Sequence, residues 1–184
     1  MTTNLQGYAL GGFTTGRNWL VRILWYYTNS FIFKSYWFPF SGLKVLLLRI
    51  FGAKVGVGVN IKPNVNIKYP WRLSIGDFTW IGEEVWIDNL AFVSIGANCC
   101  LSQGAFLLCG NHNYKKTTFD LITQPITLED GVWIGAKAIV CPGVIIASHA
   151  VLSVMSVATN NLESFKIYQG NPAKEIKIRN IKST

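Results

Sequence analysis

Residues 128–158 decide the fold, and they read LEDGVWIGAKAIVCPGVIIASHAVLSVMSVA. An aliphatic residue occupies every sixth position of this stretch: Leu128, Ile134, Val140, Ile146, Leu152 and Ala158. An α-helix repeats about every 3.6 residues and a β-strand every two, so neither explains a period of six. A triangular solenoid does, because each hexad then forms one short strand plus a turn, and three hexads complete one turn of the solenoid.

The same period begins near residue 55. It continues in three earlier runs: Val55, Ile61, Ile67 and Leu73; Ile75, Ile81, Ile87 and Val93; and Ile95, Leu101 and Leu107. Glycine or alanine often follows the aliphatic residue, as in Ile75-Gly76 and Ile134-Gly135, and we attribute this to a sharp bend of the backbone. The pattern predicts an all-β solenoid domain over residues 54–165, in which the aliphatic residues point inward and stack into a continuous core.

The composition indicates a folded chain with an anionic partner. Hydrophobic residues make up 50% of the 184 residues and charged residues 14%, which suits a large buried core and argues against disorder. The 17 Lys and Arg residues outnumber the 9 Asp and Glu residues, and the formal charge of +8 favours a phospholipid surface, a small phosphorylated ligand or a nucleic acid. Because the basic residues belong to no recognisable nucleic-acid module, we expect no nucleic-acid partner.

The cysteines and the N-terminus bear on the cellular compartment. Cys99 and Cys100 are adjacent in a strand-like stretch, where their side chains point to opposite faces, so neither a shared metal nor an ordinary disulfide suits them. Cys109 and His112 have the spacing of metal ligands, but two ligands do not make a site. No secretory signal precedes these residues. We therefore expect reduced thiols, no metal and a cytoplasmic protein.

Residues 1–53 differ from the repeat. This segment is rich in aromatic residues, but basic residues, proline and glycine interrupt it before it reaches the roughly 20 continuous apolar residues of a membrane-spanning helix. We predict two short helices over residues 17–35 and 41–51, with Ser41 as the cap of the second and Gly52 at its end.

The two helices have two interpretations. They cover an open end or side of the solenoid, or they make a peripheral contact with the inner face of the membrane through residues 17–51. The second interpretation uses the basic residues together with four aromatic ones: Trp25, Tyr26, Tyr27 and Trp37. We favour the first, because a basic aromatic helix is only suggestive of membrane binding.

Function in a solenoid is expected where the period fails, since an extruded loop takes no part in the stacking. The largest break separates Leu107 from Leu128 by 21 residues instead of 18. It predicts an extruded loop over about residues 108–125 that contains His112, one of two histidines in the chain. A neutral imidazole there could accept the proton of an attacking hydroxyl, although a surface histidine without a role fits the residues equally well.

Three smaller features each permit a functional and a structural interpretation. Asp88, in a surplus of two residues between Ile75 and Ile95, could bind a substrate hydroxyl, orient the base or form a local Asp-Asn turn. Residues 166–184 form a basic tail whose cations suit the phosphates of a cofactor or simply solvent. His149 falls on a turn position, where histidine tolerates a positive φ, and we interpret it as structural.

At this point the residues resemble a known family, the hexapeptide-repeat acyltransferases. The hexad run carries the resemblance together with Gly110-Asn111-His112-Asn113-Tyr114, Val132-Trp133-Ile134-Gly135-Ala136 and Gly170-Asn171-Pro172-Ala173-Lys174. Four further stretches are similar to the colanic-acid-type O-acetyltransferases of exopolysaccharide biosynthesis: residues 51–54 (FGAK), 67–71 (IKYPW), 81–90 (IGEEVWIDNL) and 101–105 (LSQGA). The likeness runs from about residue 20 to 180. It implies a left-handed parallel β-helix that assembles into a homotrimer, with active sites between neighbouring subunits.

The resemblance also implies an activity, the transfer of an acetyl group from acetyl-CoA to a sugar hydroxyl. His112 would be the general base, and the backbone N–H of Ala136 would stabilise the tetrahedral oxyanion. The residues that match the cofactor groove of the family are Trp133, Ala136, Val154, Thr159, Lys174 and Lys177. The residues expected to bind the acceptor are Asp88, Asn89 and Tyr114.

Two departures from the family pattern matter. The loop usually reads His-Asp-Tyr, whereas Asn113 stands here in place of the acid, so His112 is expected to be a weaker or differently oriented base. The coil over residues 147–156 lacks several of the usual glycines and carries Ser153 and Met155 instead. We expect a local distortion there.

Two alternatives stay open and one is excluded. An amino-sugar N-acetyltransferase would share the fold, the donor and the base, and would differ only in the acceptor. A non-enzymatic, membrane-associated β-helix scaffold would use the aromatic N-terminus and would be unaffected by the loss of His112. A carbonic-anhydrase-type β-helix needs three zinc-bound histidines, and the chain has two.

Overall fold

The computed structural model describes residues 2–182, and their main body is a left-handed parallel β-helix of about six coils. Its strands stack into three sheets, one on each side of a triangular prism. The first sheet contains β1 (Lys54–Val55), β4 (Leu73–Ile75), β7 (Val93–Ile95), β12 (Ile126–Leu128) and β15 (Ile145–Ile146). The second contains β2 (Asn60–Ile61), β5 (Trp80–Ile81), β8 (Cys100–Leu101), β13 (Trp133–Ile134), β16 (Val151–Leu152), β18 (Lys166–Gly170) and the antiparallel β19 (Ala173–Ile178). The third contains β3 (Asn66–Ile67), β6 (Trp86–Asp88), β9 (Phe106–Leu108), β14 (Ile139–Val140) and β17 (Val157–Ala158).

The hexad positions form the core of the prism. In the second sheet five of them stack in register and are fully buried: Ile61, Ile81, Leu101, Ile134 and Leu152. The equivalent residues of the other two sheets are buried as well, apart from Val55, which is half-buried in the first coil. Each buried Val, Leu or Ile side chain among them stabilises the fold by roughly 1.5–3 kcal/mol relative to an exposed position. The predicted solenoid and its inward-facing aliphatic residues are confirmed.

The glycine after the aliphatic residue has a different cause from the expected one. Neither Gly76 nor Gly135 has a positive φ. A Cβ on Gly76 would lie 2.5 Å from the backbone nitrogen of Ala97, and a Cβ on Gly135 would lie 2.5 Å from that of Val154. Glycine is therefore required because the next coil packs directly against it, and not because the backbone bends there.

A positive φ occurs two residues further along these turns. Lys137, His149 and Met155 adopt φ values of 55°, 62° and 54°. The ring of His149 stacks on that of Phe165 with centroids 4.7 Å apart, which agrees with a structural role for this histidine. The distortion expected over residues 147–156 is not found, because β16 keeps its register with both β13 and β18.

Two helices precede the solenoid and pack on its first coil, as predicted. They are α1 (Trp19–Thr28), which continues into a π-helical turn (Asn29–Phe33), and α2 (Ser41–Ile50). Two 3₁₀ turns complete the helical elements of residues 2–182, at Leu5–Gly7 and Pro70–Arg72.

The two ends of α2 behave differently from one another. Gly52 ends the helix as predicted: its φ is 98°, and the N–H of Ala53 donates to the carbonyl of Leu48 over 2.9 Å. Ser41 does not cap the helix, because its hydroxyl accepts a hydrogen bond from the N–H of Ile61 over 2.8 Å. That bond attaches α2 to β2.

The helical segment leaves aromatic side chains on the outside. Trp25, one of the four aromatic residues considered for a membrane contact, is buried and donates its indole N–H to the carbonyl of Ile67 over 2.9 Å. The other three, Tyr26, Tyr27 and Trp37, are exposed. Within residues 2–182, no helix combines the length and the apolar character needed to cross a bilayer.

The three corners of the prism differ in regularity. Every link from the first to the second sheet, and from the second to the third, advances six residues from one core position to the next. The links from the third sheet back to the first advance eight, eight, 21 and six residues. We call this third corner, formed by residues 68–72, 88–92 and 109–125, the irregular corner.

The extruded loop lies within the predicted bounds, residues 108–125, but it replaces a smaller part of the coil than the sequence spacing suggested. Leu107 lies in the third sheet and Leu128 in the first, so the two are consecutive core positions. This advance of 21 residues replaces a single link of six or eight, and not a full turn of 18. Most of this excess forms an antiparallel hairpin, β10 (Gly110–His112) and β11 (Leu121–Thr123), which stands apart from the prism.

Candidate active site

His112 ends the outgoing strand of the hairpin at the irregular corner. Its Nδ1 lies 3.1 Å from the carbonyl oxygen of Phe119, and the two rings stack with centroids 4.4 Å apart and planes 7° apart. A carbonyl oxygen only accepts hydrogen bonds, so Nδ1 carries the proton of the neutral ring. Nε2 then keeps a free lone pair, which is the state that a general base needs.

A backbone carbonyl thus orients the histidine where the family pattern has a carboxylate. The side-chain oxygen of Asn113 accepts a hydrogen bond from a backbone N–H two residues further on, over 3.2 Å, and so stabilises the tip of the loop. The one acid of the loop, Asp120, pairs with Lys116 over 2.9 Å. Neither side chain takes the place of the missing acid beside His112.

The N-terminal segment crosses the irregular corner and braces the hairpin. Two backbone hydrogen bonds attach it, from Asn4 N to Thr117 O over 2.8 Å and from Leu121 N to Ala9 O over 3.0 Å. Between them, the ring of Tyr8 lies 5.9 Å from that of His112, centroid to centroid. Neither Tyr8 nor Phe119 was predicted to lie near His112, because residues outside the repeat have no periodicity from which their position could be inferred.

Asp88 lies beside the strand that leads to His112. It ends β6 opposite Leu108, and its Oδ2 is 3.9 Å from the position that a Cβ would take on Gly110. Its Oδ1 lies 3.0 Å from Nζ of Lys68, yet no donor within residues 2–182 is aligned for a hydrogen bond to this atom. The side chain, only 10% exposed, therefore retains hydrogen-bonding capacity close to the base.

Asn89 does not face a ligand, contrary to expectation. Its side chain is fully buried, and its amide accepts from the N–H of Tyr69 over 2.9 Å and donates to the carbonyls of Tyr69 and Arg72 over 2.6 and 3.2 Å. These bonds join two consecutive coils at the irregular corner. Tyr114, by contrast, is exposed at the tip of the loop.

A groove of about 690 Å³ runs over the outer face of the second sheet. It contains four of the six residues expected to bind the cofactor: Trp133, Ala136, Val154 and Lys177. The indole N–H of Trp133 donates to the hydroxyl of Ser102 over 2.9 Å, which fixes one wall. An apolar, elongated groove of this size suits a pantetheine arm.

The other two expected residues lie outside this groove. Thr159 follows β17 of the third sheet and therefore lies at the irregular corner. Lys174 is exposed on β19, opposite Gln169, which does line the groove. The spacing pattern alone did not reveal on which side of the prism either residue lies.

Two cations border the groove. Arg179 is held in place because its guanidinium donates to the carbonyls of Gly131 and His149 over 2.9 and 3.0 Å. Lys177 forms no ion pair within residues 2–182. The phosphates of a bound nucleotide could therefore interact with two cations at this edge, the fixed guanidinium of Arg179 and the ammonium of Lys177.

Ala136 occupies the turn between β13 and β14, at the edge of the groove. Its carbonyl accepts from the N–H of Met155 over 2.9 Å. Within residues 2–182, no backbone or side-chain acceptor receives a hydrogen bond from the N–H of Ala136. This donor is therefore free to bind an anionic oxygen above the groove.

The cysteines offer no nucleophile. All four are free, and burial raises the pKa of Cys99 and Cys109 to about 11. Burial also raises the pKa of Cys100, the neighbour of Trp133 across the second sheet, and of Cys141. These thiols stay protonated at neutral pH, so the arrangement favours direct transfer over a covalent thioester of the protein.

One copy of the chain does not bring the histidine and the groove together. His112 lies at the irregular corner, where the third sheet meets the first, whereas the groove lies on the second sheet, the opposite side of the triangle. The packed core of the prism lies between them.

Comparisons with known proteins identify the family of the chain. The chain matches no family model. It is 33% identical over 178 residues to WcaF of Escherichia coli K12, assigned as a colanic acid biosynthesis acetyltransferase, and the match covers 96% of this chain and 97% of WcaF. The chain belongs to the WcaF family of hexapeptide-repeat acetyltransferases. It is an acetyl-CoA-dependent acetyltransferase, as predicted from the sequence.

Two further relatives are more distant. The galactoside O-acetyltransferase of Escherichia coli K12 is 25% identical over 134 residues, 71% of this chain and 66% of that protein. Among solved structures, a hexapeptide-repeat acetyltransferase of Vibrio cholerae in complex with acetyl-CoA superposes with a TM-score of 0.78. It is 22% identical, and the match covers 88% of each chain. The predicted fold is thereby confirmed.

Proposed function

We propose that this acetyltransferase acetylates a sugar hydroxyl in exopolysaccharide or other glycoconjugate biosynthesis, with His112 as the general base. The observation that supports this role most strongly is the contact between Nδ1 of His112 and the carbonyl of Phe119, which leaves Nε2 free to accept a proton. The biosynthetic setting follows the assignment of WcaF, the 33% identical relative.

The reaction needs only groups that the chain supplies. Nε2 of His112 takes the proton of the sugar hydroxyl while its oxygen attacks the carbonyl carbon of the acetyl thioester. The N–H of Ala136 stabilises the resulting oxyanion. The carbon–sulfur bond then breaks, and the CoA thiolate receives the proton back from the imidazolium, which restores the neutral base.

The donor occupies the groove on the second sheet in this proposal. Trp133 and Val154 border the pantetheine arm, while Lys177 and Arg179 lie near the phosphates. Lys174 is close enough on β19 to add to the positive potential. Asp88 and Tyr114, at the irregular corner, bind the acceptor.

The active site forms between neighbouring copies of the chain. His112 and Ala136 lie at different corners of one prism, so the base of one copy must approach the groove of the next. A closed homotrimer arranges three parallel prisms in this way and gives three identical sites. The separation of the two corners supports the assembly that the family resemblance implies.

Acceptor-dependent release of free CoA thiol tests the proposed function. Nucleotide-linked and lipid-linked sugars serve as acceptors, and the wild type is compared with His112→Ala. We expect the variant to lose activity by about 10²- to 10⁴-fold and to bind acetyl-CoA as before. Equal turnover by the two proteins would exclude His112 as the base. Preferential acetylation of an amino sugar would support the N-acetyltransferase alternative.

We also propose that the protein acts in the cytoplasm at the inner face of the membrane. An apolar strip of exposed side chains follows the outer side of the helical segment: Leu20, Leu24, Tyr27 and Phe31. Residues 1–76 carry nine basic residues and no acidic one, a charge that favours anionic lipids. Vesicles with anionic lipids should carry the wild type upward on flotation, and Leu24→Glu/Phe31→Glu should weaken this. A wild type that stays at the bottom would refute the contact.

A further inference from the structure

A second cleft, of about 570 Å³, opens between the helical segment and the outer face of the third sheet. Its walls combine aromatic, basic and amide side chains. The aromatic residues are Trp19, Tyr26, Tyr69 and Trp86; the basic residues are Arg22, Lys34 and Lys68; and the amides are Asn29 and Asn66. No acidic residue lines the cleft.

The walls of the cleft are held in place. The amide of Asn29 donates to the side-chain oxygen of Asn66 over 2.8 Å, and its own oxygen accepts from the N–H of Ile67 over 3.3 Å. On the third sheet, Trp86 stacks on Phe106 with centroids 4.5 Å apart and planes 13° apart. The cleft is therefore preformed between two attached elements, as small-molecule sites usually are.

The positive charge of the protein is concentrated in the N-terminal part of the sequence, which forms most of the cleft. Residues 1–76 contain nine Lys and Arg and no Asp or Glu, whereas residues 77–184 contain eight basic and nine acidic residues. The net charge of +8 thus arises entirely from the first 76 residues. Within residues 2–182, Arg22 and Lys34 form no ion pair, and Lys68 pairs only with Asp88. The cleft lacks internal counter-charges for two of its cations.

A short series of contacts connects the cleft with the strand of the candidate base. Lys68 lines it and lies 3.0 Å from Asp88, whose other carboxylate oxygen lies against Gly110. Gly110 begins the strand that ends at His112. A ligand with an anionic group near Arg22 could therefore extend past Lys68 and Asp88 towards the histidine.

We propose that this cleft binds the phosphate or diphosphate that links the acceptor sugar to its carrier, which defines the acceptor as a phosphate-linked sugar. Arg22 and Lys34 bind the phosphate oxygens, the first through its planar guanidinium and the second as a point charge. Trp86 and Tyr26 offer flat faces to the sugar or to an adjoining group. Lys68 and Asp88 guide the sugar towards His112. Nucleoside diphosphate sugars and lipid diphosphate sugars share this chemistry.

Only the direction of the sugar rests on the proposed function; binding in the cleft does not. We would measure the binding of pyrophosphate, uridine diphosphate and a short-chain polyprenyl diphosphate to three proteins by calorimetry. These are the wild type, the double variant Arg22→Gln/Lys34→Gln, and the control Lys54→Gln/Lys62→Gln. The control removes two exposed lysines from the same basic region but outside the cleft.

We expect the double variant to bind pyrophosphate about 10- to 100-fold more weakly than the wild type, and the control to bind within about twofold. His112→Ala should bind like the wild type, so a failure of the proposed base would not disturb this result. Tighter binding of the uridine or of the polyprenyl compound would identify the carrier. Equal affinities in the double variant and the control, or no binding by the wild type, would overturn the proposal.

The acceptor supplies a second readout. The double variant should raise KM for a phosphate-linked sugar by a similar factor and leave the Kd of acetyl-CoA unchanged, since the donor groove lies on another sheet. A change in the affinity for acetyl-CoA instead would assign the cleft to the donor and contradict the inference.

Discussion

The two regular corners and the irregular corner of the prism connect the same kind of hexad. They differ in the length of their links and in how many side chains lie outside the stacked coils. At the regular corners every link is six residues, and adjoining coils pack so closely that a single Cβ on Gly135 would meet the backbone of the next coil at 2.5 Å. The link of 21 residues at the irregular corner removes side chains from this stacking, among them His112, and Asp88 lies in the last stacked position before a link of eight. Stability therefore depends mainly on the regular corners, and the proposed proton transfer on the irregular one.

In the proposed mechanism the regular corners also contribute to chemistry, through their backbone. Lys137, which follows Ala136 in its turn, has a positive φ like Glu84, Gly104 and Met155 in neighbouring coils, and the N–H of Ala136 has no acceptor within residues 2–182. A donor groove can thus be built on a repeated element, whereas a proton acceptor with a set orientation needs a loop of its own.

The largest expected effect tests whether the two corners belong to one active site in neighbouring copies. His112→Ala removes the base, and Val154→Arg places a long side chain in the donor groove at an exposed position. We expect each variant alone to lose activity by about 10²-fold or more. Co-refolded at equal amounts, they should recover about a quarter of wild-type activity, because some interfaces then combine an intact base with an intact groove.

Thiol release measured on the mixture checks this prediction, with separately folded proteins mixed afterwards as the control. If co-refolding restores nothing while mixed oligomers form, the base and the groove of the same copy must act together.

The second prediction compares a glycine from each kind of corner. Gly135→Ala forces a Cβ against the backbone of the next coil, whereas in Gly110→Ala the nearest atom is the flexible end of the Leu90 side chain, 2.7 Å away. We expect Gly135→Ala to lower the free energy of unfolding by about 1–3 kcal/mol, and Gly110→Ala by less than about 1 kcal/mol. Gly110→Ala should instead alter KM for the acceptor, since it lies against Asp88. Chemical denaturation and steady-state kinetics test both, and the reverse ranking would contradict the distinction between corners.

The third prediction concerns Lys44, a lysine buried on α2 against the first coil. Burial lowers its pKa from 10.5 to about 8, and its ammonium donates to the carbonyl of Lys62 over 2.9 Å. Between pH 8 and 10.5 the unfolded chain holds a proton on this group that the folded chain has lost, so stability rises with pH in that window.

Lys44→Met should remove this rise. At pH 7 we expect the variant to be more stable by about 1–2 kcal/mol, after allowance for the lost hydrogen bond, and the gain should vanish above pH 10.5. Urea denaturation at several pH values measures the difference in the free energy of unfolding between the wild type and the variant. A constant difference from pH 7 to 11 would show that the titration of Lys44 does not control it.

The regular part of the molecule could be predicted from the sequence because its period repeats many times. The core positions from Ile61 to Ala158, the helices and the role of Gly52 all follow from local rules of packing and capping. The bounds of the loop were predicted closely, but its place in the coil was not, since spacing alone does not show whether Leu107 and Leu128 are separated by one link or by a full turn of three. Only the sheet assignment settles that.

The candidate residues could be named from the sequence, but their arrangement could not be predicted in full. Motifs singled out His112 and Ala136, and the family resemblance implied a site between subunits, but only the sheet order shows that the two residues lie at different corners of one prism. Asn89 was expected to face an acceptor and instead bonds to backbone groups of the previous coil, a long-range contact without a local signal. Phe119 carries no motif either, although its carbonyl and ring hold the histidine.

The smallest predicted effect concerns this last residue and refines the account of the irregular corner. Phe119→Leu keeps an apolar side chain but removes the stacked ring that lies 4.4 Å from His112, while the carbonyl that binds Nδ1 remains. Phe119 then acts as a positioning residue, so kcat should fall about 3- to 10-fold through misorientation of the base, with little change in KM or in the affinity for acetyl-CoA. Tyr114→Leu is the matched control, an aromatic residue of the same loop whose exposed ring does not stack on the histidine. It should change KM for the acceptor and leave the pH profile of kcat unaltered.

An unchanged kcat in Phe119→Leu would mean that the carbonyl alone orients the ring of His112. The proposed chemistry of the irregular corner would then depend on a backbone group, as that of the donor groove does.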